Sequence, residues 1–189
     1  VVDRLTNAGM PPLGKTHMTE LAFSGLGLNP VTATPPCIHD PDRVPGGSSS
    51  GAATSVAWDL APVAIGSDTG GSVRVPSVWN DLVGLKTTAP RISLTGVVDL
   101  AARFDTVGPL ARTVEDAALS FALLDGSTAP DLRDASLSGA RLLVLETIAL
   151  DDVAKTPAKG FDLALRQLAK AGATISRGTL PCGNARAPN

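Results

Sequence analysis

The chain has 189 residues, enough for one sizeable hydrophobic core, and 43% hydrophobic with 18% charged residues is the composition of a folded globular protein, which argues against disorder. A net charge of −2, with Lys and Arg scattered and only 3% aromatics, gives no basis for expecting nucleic acid or an anionic membrane as partner. No run of about 18 apolar residues is present, so no membrane-spanning helix is expected.

In chain order, residues 1–9 read as the tail of an amphipathic helix stopped by Gly9, Pro11 and Pro12. "PPLGKT" predicts a short strand running into a turn, "TELAFSG" a helical turn ending at Gly25, and residues 27–48 a Pro- and Gly-rich loop. "SSGAATSVAWD" (49–59) predicts a helix of small residues, able to lie close to a sheet, with serines placed to cap its first N–H groups. "LAPVAIGSD" (60–68) is a continuous apolar run, as in a buried parallel strand. "VGLKTT" (83–88) predicts another strand. In "TVEDAALSFALLDG" (113–126) Thr113 caps a helix, Glu115 and Asp116 sit in its first turn, and Gly126 ends it. A strand at 140–147, a helix at 157–172 and a strand from Ala173 follow. The alternation predicts an α/β fold with a largely parallel sheet, and 1–189 reads as a single domain without an internal linker.

Cys37 and Cys182 lie far apart and form no CxxC, so neither a disulfide framework nor a zinc site is expected, and a reducing, cytoplasmic setting is the expectation. His17 and His39 are the only histidines; "HMTE" is not a metal motif, and either ring remains open as a base for a serine. The chain opens without an initiator Met or signal pattern and closes on the aperiodic "TLPCGNARAPN", so both ends of a larger fold are expected to lie elsewhere.

Two Gly/Ser stretches carry the chemistry: "PGGSSSGAA" (45–53) and "GSDTGGSVRVP" (66–76), with Ser48 and Ser72 24 residues apart. A Gly-Gly turn after a strand can aim several N–H groups at one point, an oxyanion hole or anion nest, with a serine beside it as nucleophile. A second hydroxyl could relay the proton to a buried neutral lysine. Plain turns or linkers remain the bland alternative. A P-loop would need GxxxxGK[ST] and a dinucleotide site GxGxxG; neither is present.

The stretch "PGGSSSGAATSVAWDLAPVAIGSDTGGSVRVPSVWNDLVGLKTT", preceded by "LGKTHMTELAFSG" and followed by "FDTVGPLARTVEDAALSFALLDG", resembles the amidase signature family of serine hydrolases over roughly residues 10–126. The resemblance implies that family's mixed β-sheet flanked by helices, incomplete in this chain. It also implies a Ser–cis-Ser–Lys triad that hydrolyses a carboxylic amide. Ser72 matches the nucleophile and Ser48 the bridging serine, with a cis peptide at Gly47–Ser48 or Ser48–Ser49 and the two hydroxyls in hydrogen-bond reach. The amides of Thr69, Gly70, Gly71 and Ser72 match the oxyanion hole; Ser49 is a supporting donor, and Asp68 with Arg74 an internal brace.

Such chemistry needs no metal or organic cofactor. The implied partner is a small-molecule amide, with neither nucleic acid nor membrane bound directly; a homodimer is a further expectation for the intact protein. The family's lysine falls several dozen residues before the bridging serine, outside these residues. Lys15 and Lys86 match positions taken as structural, so the 189 residues alone are expected to be inactive. Two other outcomes stand beside the amidase: the amide-hydrolysing component of a tRNA-dependent amidotransferase, and an inactive remnant. The family pattern has Cys-Gly where Asn80-Asp81 stands and Pro where Thr87 stands, a departure expected to alter packing beneath the site.

Overall fold

The computed structural model describes residues 1–179, so Cys182 and the end of the tail lie outside the described residues. The chain divides into two compact units, the first Val1–Asp131 and the second beginning at Leu132.

In the first unit, helix α1 (Val2–Asn7) leads through irregular chain and a 3-10 turn (Glu20–Ala22) to helix α2 (Ser50–Ala57), strand β1 (Val63–Asp68), helix α3 (Arg74–Trp79), strand β2 (Val83–Gly84), strand β3 (Thr106–Ala111) and helix α4 (Val114–Asp125). The sheet order is β1-β3-β2, with both neighbours antiparallel to β3: Val63 faces Ala111, Asp68 faces Thr106, and Gly84 faces Leu110. The parallel direction expected for β1 is therefore corrected. Its apolar run reflects cover on both faces, and such cover does not fix strand direction.

Alternate residues show that cover directly, since successive side chains of a strand point to opposite faces. Ala64 and Leu110 pack with Ala52, Ala53 and Val73 from α2 and the chain entering α3. Ile65 and Val107 pack with Leu5 of α1, Phe121 and Leu124 of α4, and Ile92. Small residues allow the approach of α2: a Cβ on Gly66 would lie 2.6 Å from Ser49 Oγ.

All six residues of β3 are buried, yet no sequence signal marked this central strand. Pro109 has no N–H to donate, but its carbonyl accepts from Leu85 N at 3.0 Å. Gly108 admits the crossing chain, for a Cβ there would sit 1.9 Å from Leu85 O. Helix α4 follows the expected signals: Thr113 Oγ1 accepts from Asp116 N at 3.1 Å, and Gly126 closes the helix at φ 79°. The expected strand in "PPLGKT" is absent, and the one at 83–88 shrinks to Val83–Gly84.

The second unit holds strand β4 (Arg141–Leu145), a 3-10 turn (Ile148–Leu150), helix α5 (Lys155–Lys170) and strand β5 (Thr174–Gly178). β4 and β5 are parallel, Arg141 facing Thr174 and Leu145 facing Gly178, so the expected strand–helix–strand alternation and parallel direction hold here. No helix among the described residues is long and apolar enough to cross a membrane.

Candidate active site

The turn between β1 and α3 is built around one carboxylate. Asp68, wholly buried at the end of β1, accepts from Gly71 N at 2.9 Å through Oδ1, and from Val73 N at 3.1 Å and Arg74 N at 3.3 Å through Oδ2. These last two are N–H groups at the start of α3, which no residue inside the helix can satisfy. Arg74 closes the ring with Nη2 at 2.9 Å from Oδ1 and Nε at 3.1 Å from Oδ2, a bidentate pair. Burial by itself would raise the Asp68 pKa, but the guanidinium and the two amides outweigh it and hold the carboxyl below its ordinary value. Arg74 is correspondingly raised by Asp68. The pair expected as a brace is one, and it clamps the Gly-Gly turn itself.

The Gly71 amide, one of the four expected at the oxyanion, is given to Asp68 Oδ1. On the other side of the turn, Thr69 Oγ1 donates to Asp105 Oδ1, whose carboxylate also accepts from Leu100 N and Ala101 N. Burial would raise the Asp105 pKa as well, and these three donors lower it. Thr106 Oγ1 donates to Asp68 O at 2.7 Å, so strand β3 holds the turn from behind.

The serine-rich stretch reaches this turn as a strap over residues 45–49. Its peptide Gly47–Ser48 is cis. Gly46 N donates to Leu26 O at 3.1 Å and Gly47 N to Gly25 O at 2.9 Å, while Ser48 O accepts from Thr19 N at 2.9 Å. Strap and segment 25–27 touch backbone to backbone: a Cβ on Gly27 would lie 2.3 Å from Gly46 O. Ser49 N donates to Ser72 O at 3.2 Å, which places the two serine stretches side by side. The Ser49 hydroxyl donates to Ser67 O at 3.2 Å and makes no cap on α2, contrary to the capping expectation, because β1 lies closer to hand than the helix's own first turn.

Ser48 Oγ is fully buried and has no hydrogen-bond partner among the described residues. Ser48 Oγ thus makes no hydrogen bond to the Ser72 hydroxyl in this structure, although the main chains of the two stretches meet at Ser49 N and Ser72 O. Ser72 is half-buried. The His17 ring meets Thr32 Oγ1 at 3.2 Å, while the His17 carbonyl accepts from Gly51 N at 2.8 Å. Lys86 Nζ donates to Thr87 O at 2.6 Å, and Lys15 is exposed. A cavity of about 490 Å³ opens beside Ser49 and Ser67, with Thr16, His17 and Val107 in its wall; Ser48 and Ser72 are not among its lining residues.

The Amidase family model matches residues 1–181. The chain belongs to the amidase family. It is 43% identical over 173 residues to 2-amino-5-chloromuconic acid deaminase of Comamonas testosteroni, covering 89% of this chain and 37% of that one. It is 39% identical over 197 residues to a glutamyl-tRNA(Gln) amidotransferase subunit of Symbiobacterium thermophilum, covering 96% and 40%. Among solved structures, the corresponding glutamyl-tRNA(Gln) amidotransferase subunit from Thermotoga maritima superposes with a TM-score of 0.87 at 31% identity, covering 95% of this chain and 42% of that one. An amidase superposes at 0.88 with 34% identity, covering 95% and 41%. The chain therefore spans about two-fifths of the length of the relatives it matches. Its mixed α/β architecture is that of part of an amidase-signature fold.

Sequence reasoning missed Asp105 and Thr19, and it marked Asn80 only as a departure from the family pattern expected to alter packing beneath the site. Asp105 lies within "FDTVGPLAR", a stretch that carries the resemblance but suggests no role for it, and the strand it precedes was itself unmarked in the sequence.

Proposed function

We propose that the protein containing this chain hydrolyses a carboxylic amide to acid and ammonia or amine, with Ser72 as nucleophile and Ser48 as bridging hydroxyl. The observation that carries this reading is the meeting of the two serine stretches, Ser49 N on Ser72 O, at a turn whose conformation Asp68 and Arg74 dictate. Ser72 Oγ attacks the carbonyl carbon while its proton passes to Ser48 Oγ, and the Ser48 proton passes to a lysine outside these residues. The tetrahedral oxyanion rests on amides of Thr69, Gly70 and Ser72. The proton returns along the same path to the leaving nitrogen, and water then releases the acyl group from Ser72. The Ser48 hydroxyl suits a relay, since neither its donor nor its acceptor capacity is taken up among the described residues.

The test is to treat the full-length protein with a fluorophosphonate and map the adduct by mass spectrometry. Label on Ser72, abolished by Ser72→Ala together with turnover of simple amides, is the expected result. Label on Ser48 or Ser49 would reassign the nucleophile, and no serine label with no turnover would favour the inactive remnant.

A second reading is supported by the similarity to glutamyl-tRNA(Gln) amidotransferase subunits in sequence and in structure. In it the released ammonia serves a partner's reaction. Co-purification of stable partner proteins, with amide hydrolysis dependent on them, distinguishes it from a self-sufficient amidase.

A further inference from the structure

We infer that Asn80 is a positioning residue for the Ser48–Ser72 pair, holding the strap that carries Ser48 against the helix that follows Ser72. The inference rests on the reading of those two serines given above. Asn80 is 1% exposed and ends α3. Its own N–H turns back to Ser77 O at 3.2 Å, so the Pro76 carbonyl is left without the amide that a continuing helix would supply. Asn80 Nδ2 fills that place at 2.8 Å, and also donates to Pro45 O at 2.7 Å. Asn80 Oδ1 accepts from Ile38 N at 3.1 Å. One amide side chain therefore joins the helix end, the first residue of the strap and the loop before it.

The contact is tight on both sides of that bond. A Cβ on Gly46 would lie 3.0 Å from Pro76 Cα and 3.1 Å from the Trp79 ring. Pro45 precedes the cis Gly47–Ser48 peptide by two residues, and Pro76 follows Ser72 by four. Loosening this joint lets the strap move relative to α3, and with it Ser48 relative to Ser72. The family pattern has Cys here, which offers no amide, so the joint belongs to this chain's own packing. Asp81 next to it adopts φ 61°, the left-handed conformation for which the pattern has Gly, so the chain path is kept while the side-chain chemistry differs.

The experiment uses the full-length protein with Asn80→Asp and Asn80→Cys. Asn80→Asp keeps the acceptor for Ile38 N but turns an oxygen toward two carbonyl oxygens; Asn80→Cys removes all three bonds. Saturating fluorophosphonate counts competent sites, and subsaturating reagent gives the acylation rate per counted site. A displacement of about 1 Å at the reacting pair costs on the order of 10²-fold, so a fall of about 10–100-fold per site is expected. For amide turnover kcat should fall by a similar factor, with KM within about twofold. A purely structural role would reduce the number of competent sites and the melting temperature while leaving the rate per site unchanged. That outcome, or loss of folding in both variants, overturns the inference. A wild-type protein that takes no label on Ser72 would overturn the catalytic reading and this inference together, whereas labelled wild type with unimpaired variants overturns this inference alone.

Discussion

Replacing Asp68 by Asn removes the charge from the buried end of β1 with almost no change in shape. The carboxylate receives five donors: Gly71 N, Val73 N and Arg74 N from the main chain, and Nε and Nη2 from Arg74. The best orientation of the amide keeps its oxygen at the Oδ2 position, where three of these converge. Its NH2 then faces Gly71 N–H and Arg74 Nη2, so two hydrogen bonds become donor–donor contacts. Bonds to a charged group contribute about 1.5–3 kcal/mol each, which for the two gives a destabilisation of about 3–6 kcal/mol, overlapping the range of about 3–5 kcal/mol for breaking a buried pair. Arg74→Ala should cost less, about 1–2 kcal/mol, because its side chain is 51% exposed and the main-chain donors still hold the carboxylate. Urea unfolding of the full-length protein reads both: at about 3 kcal/mol per M, the Asn variant should lose about 1–2 M in midpoint. Its labelling at Ser72 should fall as well, since the turn loses its template. Equal midpoints for the two variants, or an Asn variant within about 0.3 M of wild type, would refute the claim that Asp68 organises the turn.

Other perturbations separate frame from chemistry. Ser48→Ala removes a buried hydroxyl that has no partner among the described residues, so melting temperature should hold or rise while acylation of Ser72 falls by at least about 10²-fold; a cost in stability without a cost in rate would contradict the relay. Arg91 grips Asp125 with bonds of 2.7 and 2.8 Å and pulls its pKa from 3.8 to about 2. Because the folded value is depressed, the stabilisation is present above pH 3.8 and is lost as pH falls through about 2; Arg91→Ala should bring the Asp125 titration, followed by NMR, back toward 3.8. Asp81→Gly should raise stability by about 0.5–1 kcal/mol in urea unfolding, relieving a left-handed residue with a Cβ, and an unchanged or lowered midpoint would argue against that conformation. Gly108→Ala should abolish soluble expression, because its methyl group would fall 1.9 Å from Leu85 O; a normally folded variant would displace β3 from the sheet centre.

The parts legible in the sequence are those whose causes are local. Thr113, Asp116 and Gly126 announce both ends of the 12-residue helix α4 from within the helix and its two caps, and the apolar run ending at Asp68 announces β1. Strand β3 was hidden because Gly108 and Pro109 weaken any strand pattern, and their use becomes clear only when Leu85 crosses them. Helix α3 was hidden because its first amides are satisfied by Asp68, a carboxylate before the turn, and because Pro76 interrupts the apolar pattern. Strand direction was misjudged at β1 for want of any signal separating double cover from parallel pairing. In the site, the Asp68–Arg74 pair lies six residues apart and was anticipated, whereas Asp105 meets Thr69 across 36 residues and Asn80 meets Pro45 across 35. Contacts of that span leave no trace in spacing or periodicity.

The backbone-to-backbone seat of the strap inverts the usual logic of a mutational scan. Alanine is ordinarily the mild probe, deleting side-chain atoms and adding none. Here the two chain segments meet main chain to main chain, so its single methyl is a wedge: at Gly47 it would enter within 2.7 Å of Gly27 N, and at Gly51, in the helix that follows, within 2.5 Å of His17 N. A scan of this region should therefore report its deepest losses at positions that present nothing to a substrate, while exposed side chains nearby such as Leu21 and Phe23 tolerate truncation. Sensitivity mapped in this way would outline the seam on which the strap rests and would say little about where the amide binds. Libraries aimed at altering selectivity should accordingly leave these glycines fixed and draw their diversity from outside the seam.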